Sequence, residues 1–363
     1  MVATHIEYTK ENPLNREPPV KELVSSFITP SSTSYDRNHG PIPHLSADTH
    51  TIEVDGLVST PLRLSVHQLA AEFPQHEVLC ALECAGNRRH TMRTMLKEVE
   101  GIDWGDAAIM NYQYKGRPGL HVAFSSFQVQ CQEDEWFGGS VELERGLDEE
   151  ADVILALEMN DAPLEPKHGF PVRVVLPGIA GARWVKWLDR ITVQDQESTN
   201  FYQRRDYKVL PEEAVDRDAA EPFWDQTPAI SEVSVNSVVA VPEDSETVYL
   251  SDTGKLEVKG YAVPQGSGGP VVKVQVSGDG GKTWIDAEIG KSGSAGAEGR
   301  IRKWCWVLWR AEVEVETGEG NEVASRAIDA QGNMQAEHSQ WNLRGVGYSG
   351  YGRAKNLTVR YRE

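Results

Sequence analysis

Cysteine is scarce in this chain: Cys80, Cys84, Cys131 and Cys305 are the four in 363 residues. That is too few for a disulfide framework and fits a reducing compartment, so a cytoplasmic setting is expected. Long apolar runs are also missing; none approaches the roughly 18 residues that cross a bilayer, and no membrane partner is expected. The opening segment MVATHIEYTKENPLNREPPVKELV has no apolar centre and is rich in acids, unlike a secretory or transit peptide. The final Tyr361-Arg362-Glu363 is not a peroxisomal address. Positive charge is in deficit, with 36 Lys and Arg against 55 Asp and Glu, a net charge of −19 and a pI near 5.0. Such a balance disfavours a nucleic-acid partner. An anionic substrate would need a local arginine cluster, screened from the remaining charge over a Debye length of about 8 Å. G-x-S-x-G, H-E-x-x-H and a G-x-G-x-x-G between strand and helix are all absent, which removes the usual hydrolase and dinucleotide signatures.

What is present divides in two. A chain of 363 residues exceeds the size at which single cores stop growing. Residues 1–34 are polar and proline-punctuated and read as an extended arm. From Thr51 to about Val193 short apolar runs alternate with helical stretches. THTIEVDGLV reads as a strand, SVHQLAAEF as an amphipathic helix with Ser65 as N-cap, HEVLCALECAG as a buried strand ending in a loop, and DVILALEMN and FPVRVVLPG as two further strands. Residues 211–227, acidic and carrying Pro211 and Pro222, read as a linker. Beyond them VNSVVAVP, TVYLSD, KLEVKGYAV, VVKVQVS, TWIDAEI, CWVLWRAEVEV, NEVASRAID and WNLRG read as short strands, the pattern of an immunoglobulin-like sandwich over 228–363. The fold class is thus α+β: a mixed α/β domain over 35–210 followed by a β-sandwich.

Chemistry concentrates in a few blocks. Cys84 lies in LECAGNRRH, where a strand gives way to turn residues and then Arg88-Arg89. Adjacent guanidinium groups would stabilise a thiolate, and soft thiolates suit soft or high-valent metals. A buried structural cysteine is the bland alternative. Zinc is a third, with Cys80, His76 and His90 nearby, although the spacing matches no usual zinc pattern. Arginine recurs at Arg37, Arg88-Arg89, Arg183, Arg204-Arg205 and Arg344; each alone could be a solvated or salt-bridged residue. The apolar settings GARWVKWL and WNLRG suit instead the bidentate binding of an oxyanion. Ser277-Gly-Asp279-Gly-Gly281-Lys-Thr283-Trp284 fits an Asp-box hairpin, and a single copy reads as a structural turn. Gly266 to Pro270 lacks the helix and Lys-Ser/Thr of a phosphate loop.

YDRNHGPIP, LECAGNRR, KHGFPVRVVLPGIAGARWVKWL, FYQRRDYK and WNLRGV together resemble the molybdenum-cofactor oxidoreductases of the sulfite oxidase and plant-type nitrate reductase group. The five blocks run in order from about Tyr35 to Val346. VNSVVAVPEDSETV, KGYAV and GDGGKTW resemble that family's immunoglobulin-like dimerisation domain, which implies a homodimer. The resemblance implies that Cys84 ligates molybdenum held by molybdopterin. It implies that Asn38, His39, His168, Arg173, Trp184, Val185 and Lys186 bind the cofactor, and that Arg37, Arg89, Trp104, Tyr207 and Arg344 form the substrate pocket. Methionine is usual in nitrate reductases where Arg344 stands, so oxidation of sulfite to sulfate is implied. Nitrate, another small oxyanion or a sulfoxide is the alternative substrate, and a binding protein that has lost its metal is the non-enzymatic one.

The chain departs from the family pattern in three places. The stretch AIMNYQYKGRPGLHVAF after Trp104 is shorter than usual, Gln128-Val129-Gln130 stand where an aspartate is expected, and one extra residue separates Cys84 from Trp104. The resemblance implies a haem-free form, with oxygen or a cytochrome as electron acceptor.

Overall fold

The structure, a computed structural model, describes residues 9–118, 123–290 and 303–362. The strand His76–Glu83 buries Val78, Cys80 and Leu82 at period two, as a half-covered strand must. It pairs antiparallel with Ile109–Pro118, from His76 opposite Gly116 to Glu83 opposite Ile109. The next strand inward, Ile154–Met159, pairs with Ile109–Pro118, with Ala162–Pro163 and with Arg173–Val175. A second sheet is ordered Leu62–Ser65, Thr51–Gly56, Arg190–Val193, Ala123–Ser126 and Phe137–Ser140, with Arg190–Val193 parallel to Thr51–Gly56. Ser65 caps the helix Val66–Glu72 through a reciprocal pair with Gln68, as the sequence predicts. Tyr112, Tyr114, Phe124, Trp104 and Trp184 fill the core between these sheets.

Residues from Asn236 onward form two facing sheets. One is ordered Asn236–Val241, Leu256–Val263, Val307–Val313 and Glu288–Ile289; the other Thr247–Tyr249, Gly352–Arg360, Gly318–Asp329, Val271–Ser277 and Ile285–Asp286. Val258, Val274, Val323 and Leu357 meet between them. WNLRG is not a strand: residues 341–345 form a turn in which Asn342 accepts from the Val346 amide and donates to the Val346 carbonyl. The strand Gly352–Arg360 is absent from the sequence-based assignment. Asn356 has φ +56° and the pairing register shifts between Val323 and Asn321, so the apolar spacing runs Ala354, Leu357, Val359 and breaks strict alternation. The Asp-box segment is a hairpin turn, with the Asp279 carboxylate accepting from the Lys282 and Thr283 amides and the Thr283 hydroxyl.

Both connecting segments have more structure than their sequences suggest. Within residues 1–34, Thr9–Glu11, Leu14–Arg16 and the later Asp36–Arg37 form a three-stranded sheet. The short helix Val20–Leu23 packs Val20 and Leu23 against Ile109 of the first domain and Val238, Tyr261 and Trp306 of the second. Residues 211–227 carry the helix Arg217–Ala220, and Leu210, Ala214 and Ala220 pack on Met92, Trp341 and Tyr348. The two domains are also joined backbone to backbone: Ala81 donates to the Trp304 carbonyl at 2.9 Å and Gly347 to the Ala85 carbonyl at 2.8 Å. No helix among the described residues is long and apolar enough to cross a membrane.

Candidate active site

A cavity opens at the ends of the first domain's strands. Its walls include Arg37, Asn38, His39, Cys84, His168, Arg173, Trp184, Lys186 and Tyr207. Four blocks separated by as many as 170 positions thus converge on one space. Arg89, Trp104, Val185 and Arg344 do not line it. Val185 is fully buried beneath the wall, and Trp104 packs edge-on against Tyr35, with ring centroids 6.4 Å apart.

Cys84 follows the strand His76–Glu83 directly, and its amide donates to the Ala108 carbonyl. Burial raises the thiol pKa above its ordinary value, while Arg37, Arg89 and the Gly86 amide pull it down. The expected guanidinium stabilisation is present, but desolvation outweighs it. His76, Cys80 and His90 do not gather around Cys84: among the described residues no three His, Cys, Asp or Glu side chains form a metal cluster, which corrects the zinc alternative.

His39 is the centre of a directed chain. Arg37 Nη2 lies 3.2 Å from His39 Nδ1, and His39 Nε2 lies 2.8 Å from the Tyr207 hydroxyl. A guanidinium donates only, so Nδ1 accepts and the proton sits on Nε2, which donates to the phenol oxygen. That bond leaves the phenol its own proton to donate, and Tyr207 stands on the cavity wall. Burial, helped by Arg37, Lys186 and Arg344, holds His39 well below its usual range and so keeps the ring neutral. His168 is likewise depressed by burial and by Lys186 and Lys167, and its Nε2 lies 3.0 Å from the Ser34 hydroxyl.

Cations on the cavity wall are held mainly by neutral oxygens. Lys186 Nζ donates to the carbonyls of Arg37 and Lys167 and to Asn38 Oδ1, and burial with Arg173 close by pushes its pKa down to about 7. Arg173 donates to the His168 and Trp184 carbonyls, and its buried Nε finds no hydrogen-bond partner among the described residues. Arg37 donates to Asn15 Oδ1 and the Asn38 carbonyl. Concentrated, desolvated and weakly compensated positive charge is costly unless an anion occupies the space.

Behind Cys84, Arg89 donates to the carbonyls of Arg344 and Ile102. A Cβ on Gly86, Gly101 or Gly345 would come within 2.6–2.8 Å of its side chain. Arg344 pairs with Glu100 at 3.2 Å and with Asp206, so its charge is largely answered within the protein. Arg88, adjacent in sequence, points elsewhere: it donates to Asn236 Oδ1 and to the Gly350 and Tyr351 carbonyls of the second domain. Arg183 is also structural, donating to the Ile230 and Tyr202 carbonyls, and Arg204 and Arg205 form exposed pairs with Asp225 and Glu221.

Sequence reasoning missed Asn15, Ser34, Cys131 and the carboxylates Glu100 and Asp206. Asp206 adjoins FYQRRDYK and Ser34 adjoins YDRNH, so both were within reach of the motifs; Asn15 carries no local signal. The shortened stretch after Trp104 includes residues 119–122, which lie outside the described residues.

Residues 39–202 match the oxidoreductase molybdopterin binding domain family and residues 227–356 the Mo-co oxidoreductase dimerisation domain family. The chain belongs to the sulfite oxidase family of molybdopterin-binding oxidoreductases. It is 38% identical to sulfite oxidase of Gallus gallus, covering 94% of this chain and 75% of that one. It is 39% identical to the mitochondrial sulfite oxidase of Homo sapiens over 94% of this chain, spanning 64% of that protein's length. Nitrate reductase [NADH] 1 of Phaseolus vulgaris is 36% identical over 95% of this chain and 41% of its own. The sulfane dehydrogenase SoxCD of Paracoccus pantotrophus shares the fold, with a TM-score of 0.74 at 22% identity, covering 97% of this chain and 89% of that one.

Proposed function

We propose that this protein oxidises sulfite to sulfate with a molybdenum–molybdopterin cofactor, and that it acts as a homodimer. The observation that carries the reading is a cysteine on the wall of a buried, cation-rich cavity in a chain of net charge −19. The site fits the group: a soft sulfur donor and enclosed cationic donors line one cavity, the latter with mostly carbonyl partners and with Arg173 Nε unanswered among the described residues. Cys84 would ligate the metal. Asn38, His168, Arg173, Trp184 and Lys186 would hold the pterin and its phosphate, with Val185 supporting them from the core. When bound, the cofactor supplies two-electron redox chemistry and oxygen-atom transfer.

The chain's own residues bind and orient the oxyanion. Arg37, fixed by neutral partners, presents positive charge to it, while Arg89 and Arg344 add field from behind Cys84. Tyr207, receiving from His39 Nε2, donates its hydroxyl proton to a substrate oxygen and fixes its orientation. Trp104, packed on Tyr35, shapes the wall and excludes water.

The purified protein should contain molybdenum and pterin in equal amounts and reduce ferricyanide in the presence of sulfite. Cys84→Ser should retain the fold and lose turnover; wild-type activity in that variant would remove the assignment. Nitrate is the second reading, favoured by the 36% identity to a nitrate reductase over nearly the whole chain. Nitrate turnover exceeding sulfite turnover would establish it. Absence of the metal would leave the non-enzymatic reading. Reduction of oxygen and of a cytochrome, assayed in parallel, identifies the acceptor.

A further inference from the structure

The substrate-facing guanidinium is held by a residue that precedes both matched domains. Leu14–Arg16 pairs antiparallel with Asp36–Arg37, placing Arg16 opposite Asp36 and Asn15 opposite Arg37. At the first of these positions the partners are charged, Arg16 to Asp36 at 2.9 Å. At the second, one position along, only Arg37 is charged, and the residue opposite it is a neutral amide. Asn15 is 1% exposed; its Oδ1 accepts from Arg37 Nη1 at 3.0 Å and from the Asn38 amide at 3.2 Å. Its Nδ2 donates to the carbonyls of Pro13 and Asn38. The amide therefore uses both its halves, which fixes its orientation and hence where it points the oxygen. Asn38 returns a bond to the Leu14 carbonyl at 2.7 Å, so each strand locks the other.

A carboxylate at this place would grip Arg37 more firmly, since charge-assisted bonds are about twice as strong as neutral ones. It would also answer the charge that an incoming anion needs. Asn15 supplies the aim without the neutralisation. The remaining partners of Arg37, the Asn38 carbonyl and His39 Nδ1, are neutral as well.

We propose that Asn15 is a positioning residue of the anion site, so that the strand Leu14–Arg16 sets oxyanion affinity by directing Arg37 without adding a carboxylate to its hydrogen-bond partners. The proposal rests on the reading of this cavity as an oxyanion site. Its test uses the cofactor-loaded, full-length protein and two readouts: steady-state kinetics with sulfite, and calorimetric titration with sulfate, the product anion, without turnover. Asn15→Asp should raise the KM for sulfite and the Kd for sulfate at least about tenfold, with kcat changed less than about threefold and metal content intact. Asn15→Ala, which removes the aim but adds no charge, should raise both constants by a smaller factor. In an Arg37→Gln background Asn15→Asp should have little further effect, because the coupling runs through that guanidinium. A variant that merely loosens the fold would lower thermal stability and metal content without this dependence on residue 37. Unchanged sulfate affinity in Asn15→Asp would overturn the positioning role while leaving sulfite oxidation standing. Sulfate binding without any sulfite turnover in the wild type would overturn the proposed reaction instead. Failure of the wild type to bind sulfate would overturn both.

Discussion

Arg344 is answered within the protein, and under the proposed reading it would be shared with the substrate anion. Its side chain is 22% exposed and pairs with Glu100 and Asp206, so an approaching anion would compete with two carboxylates for it. Arg344→Met would remove the attraction and leave both carboxylates facing the anion's approach. The KM for sulfite should rise by about tenfold or more, and an unchanged KM would count against any role for Arg344 in binding. Gly86→Ala should act more subtly. Its new methyl group would meet the Arg89 guanidinium at about 2.6 Å and displace it, raising KM while the protein remains folded; titration with sulfate checks this independently of turnover. The convergence of Cys84, Arg37, His39 and Tyr207 on one cavity was legible in the sequence, Cys84 and Arg37 from their residue types and His39 and Tyr207 through the family resemblance of their blocks. Asn15, Glu100 and Asp206 were not singled out. Their partners lie 22, 244 and 138 positions away, and no local pattern records a contact of that range.

Among the elements, the loop from Cys84 to Arg89 is one on which both domains act. Arg88 begins the helix Arg89–Met95 with φ +65° and sends its guanidinium into the second domain, 4.4 Å from the Tyr348 ring centroid. Arg88→Met would leave the Gly350 and Tyr351 carbonyls and Asn236 Oδ1 without this donor. The cost is about 2–5 kcal/mol, read as a lowered thermal midpoint together with a raised KM, because the loop carries Arg89 as well. Alternation and turn residues sufficed to place the strands His76–Glu83, Ile154–Met159 and Leu256–Val263 and the capped helix after Ser65. They failed at Gly352–Arg360, where a bulge breaks the period. They also failed at WNLRG, whose apolar residues are buried by the packing of a turn. The segments before Tyr35 and after Leu210 looked like tethers because their order comes from tertiary contacts, which composition does not encode.

For the molecule as a whole, the balance of charge makes the cofactor a structural component. Arg173 and Lys186 are enclosed with carbonyl oxygens for partners, and an anion that answers them removes a desolvation cost the empty protein must carry. Apoprotein should therefore melt several degrees below the loaded form, and Lys186→Met should narrow that gap chiefly by stabilising the apoprotein. A loaded and an apo form with identical midpoints would contradict this account. Scanning calorimetry on matched preparations decides it.

The socket around Arg89 has a consequence for descent. Gly86, Gly101 and Gly345 come from three separate stretches of chain and are tied to one side chain. Each can be changed by a single nucleotide, and each change adds at least a methyl group that the arginine must move to admit. A lineage that keeps the arginine in this position is under pressure to keep all three glycines, and one that trades it for a shorter residue relaxes all three together, so drift at these positions should concentrate in branches where Arg89 has already gone.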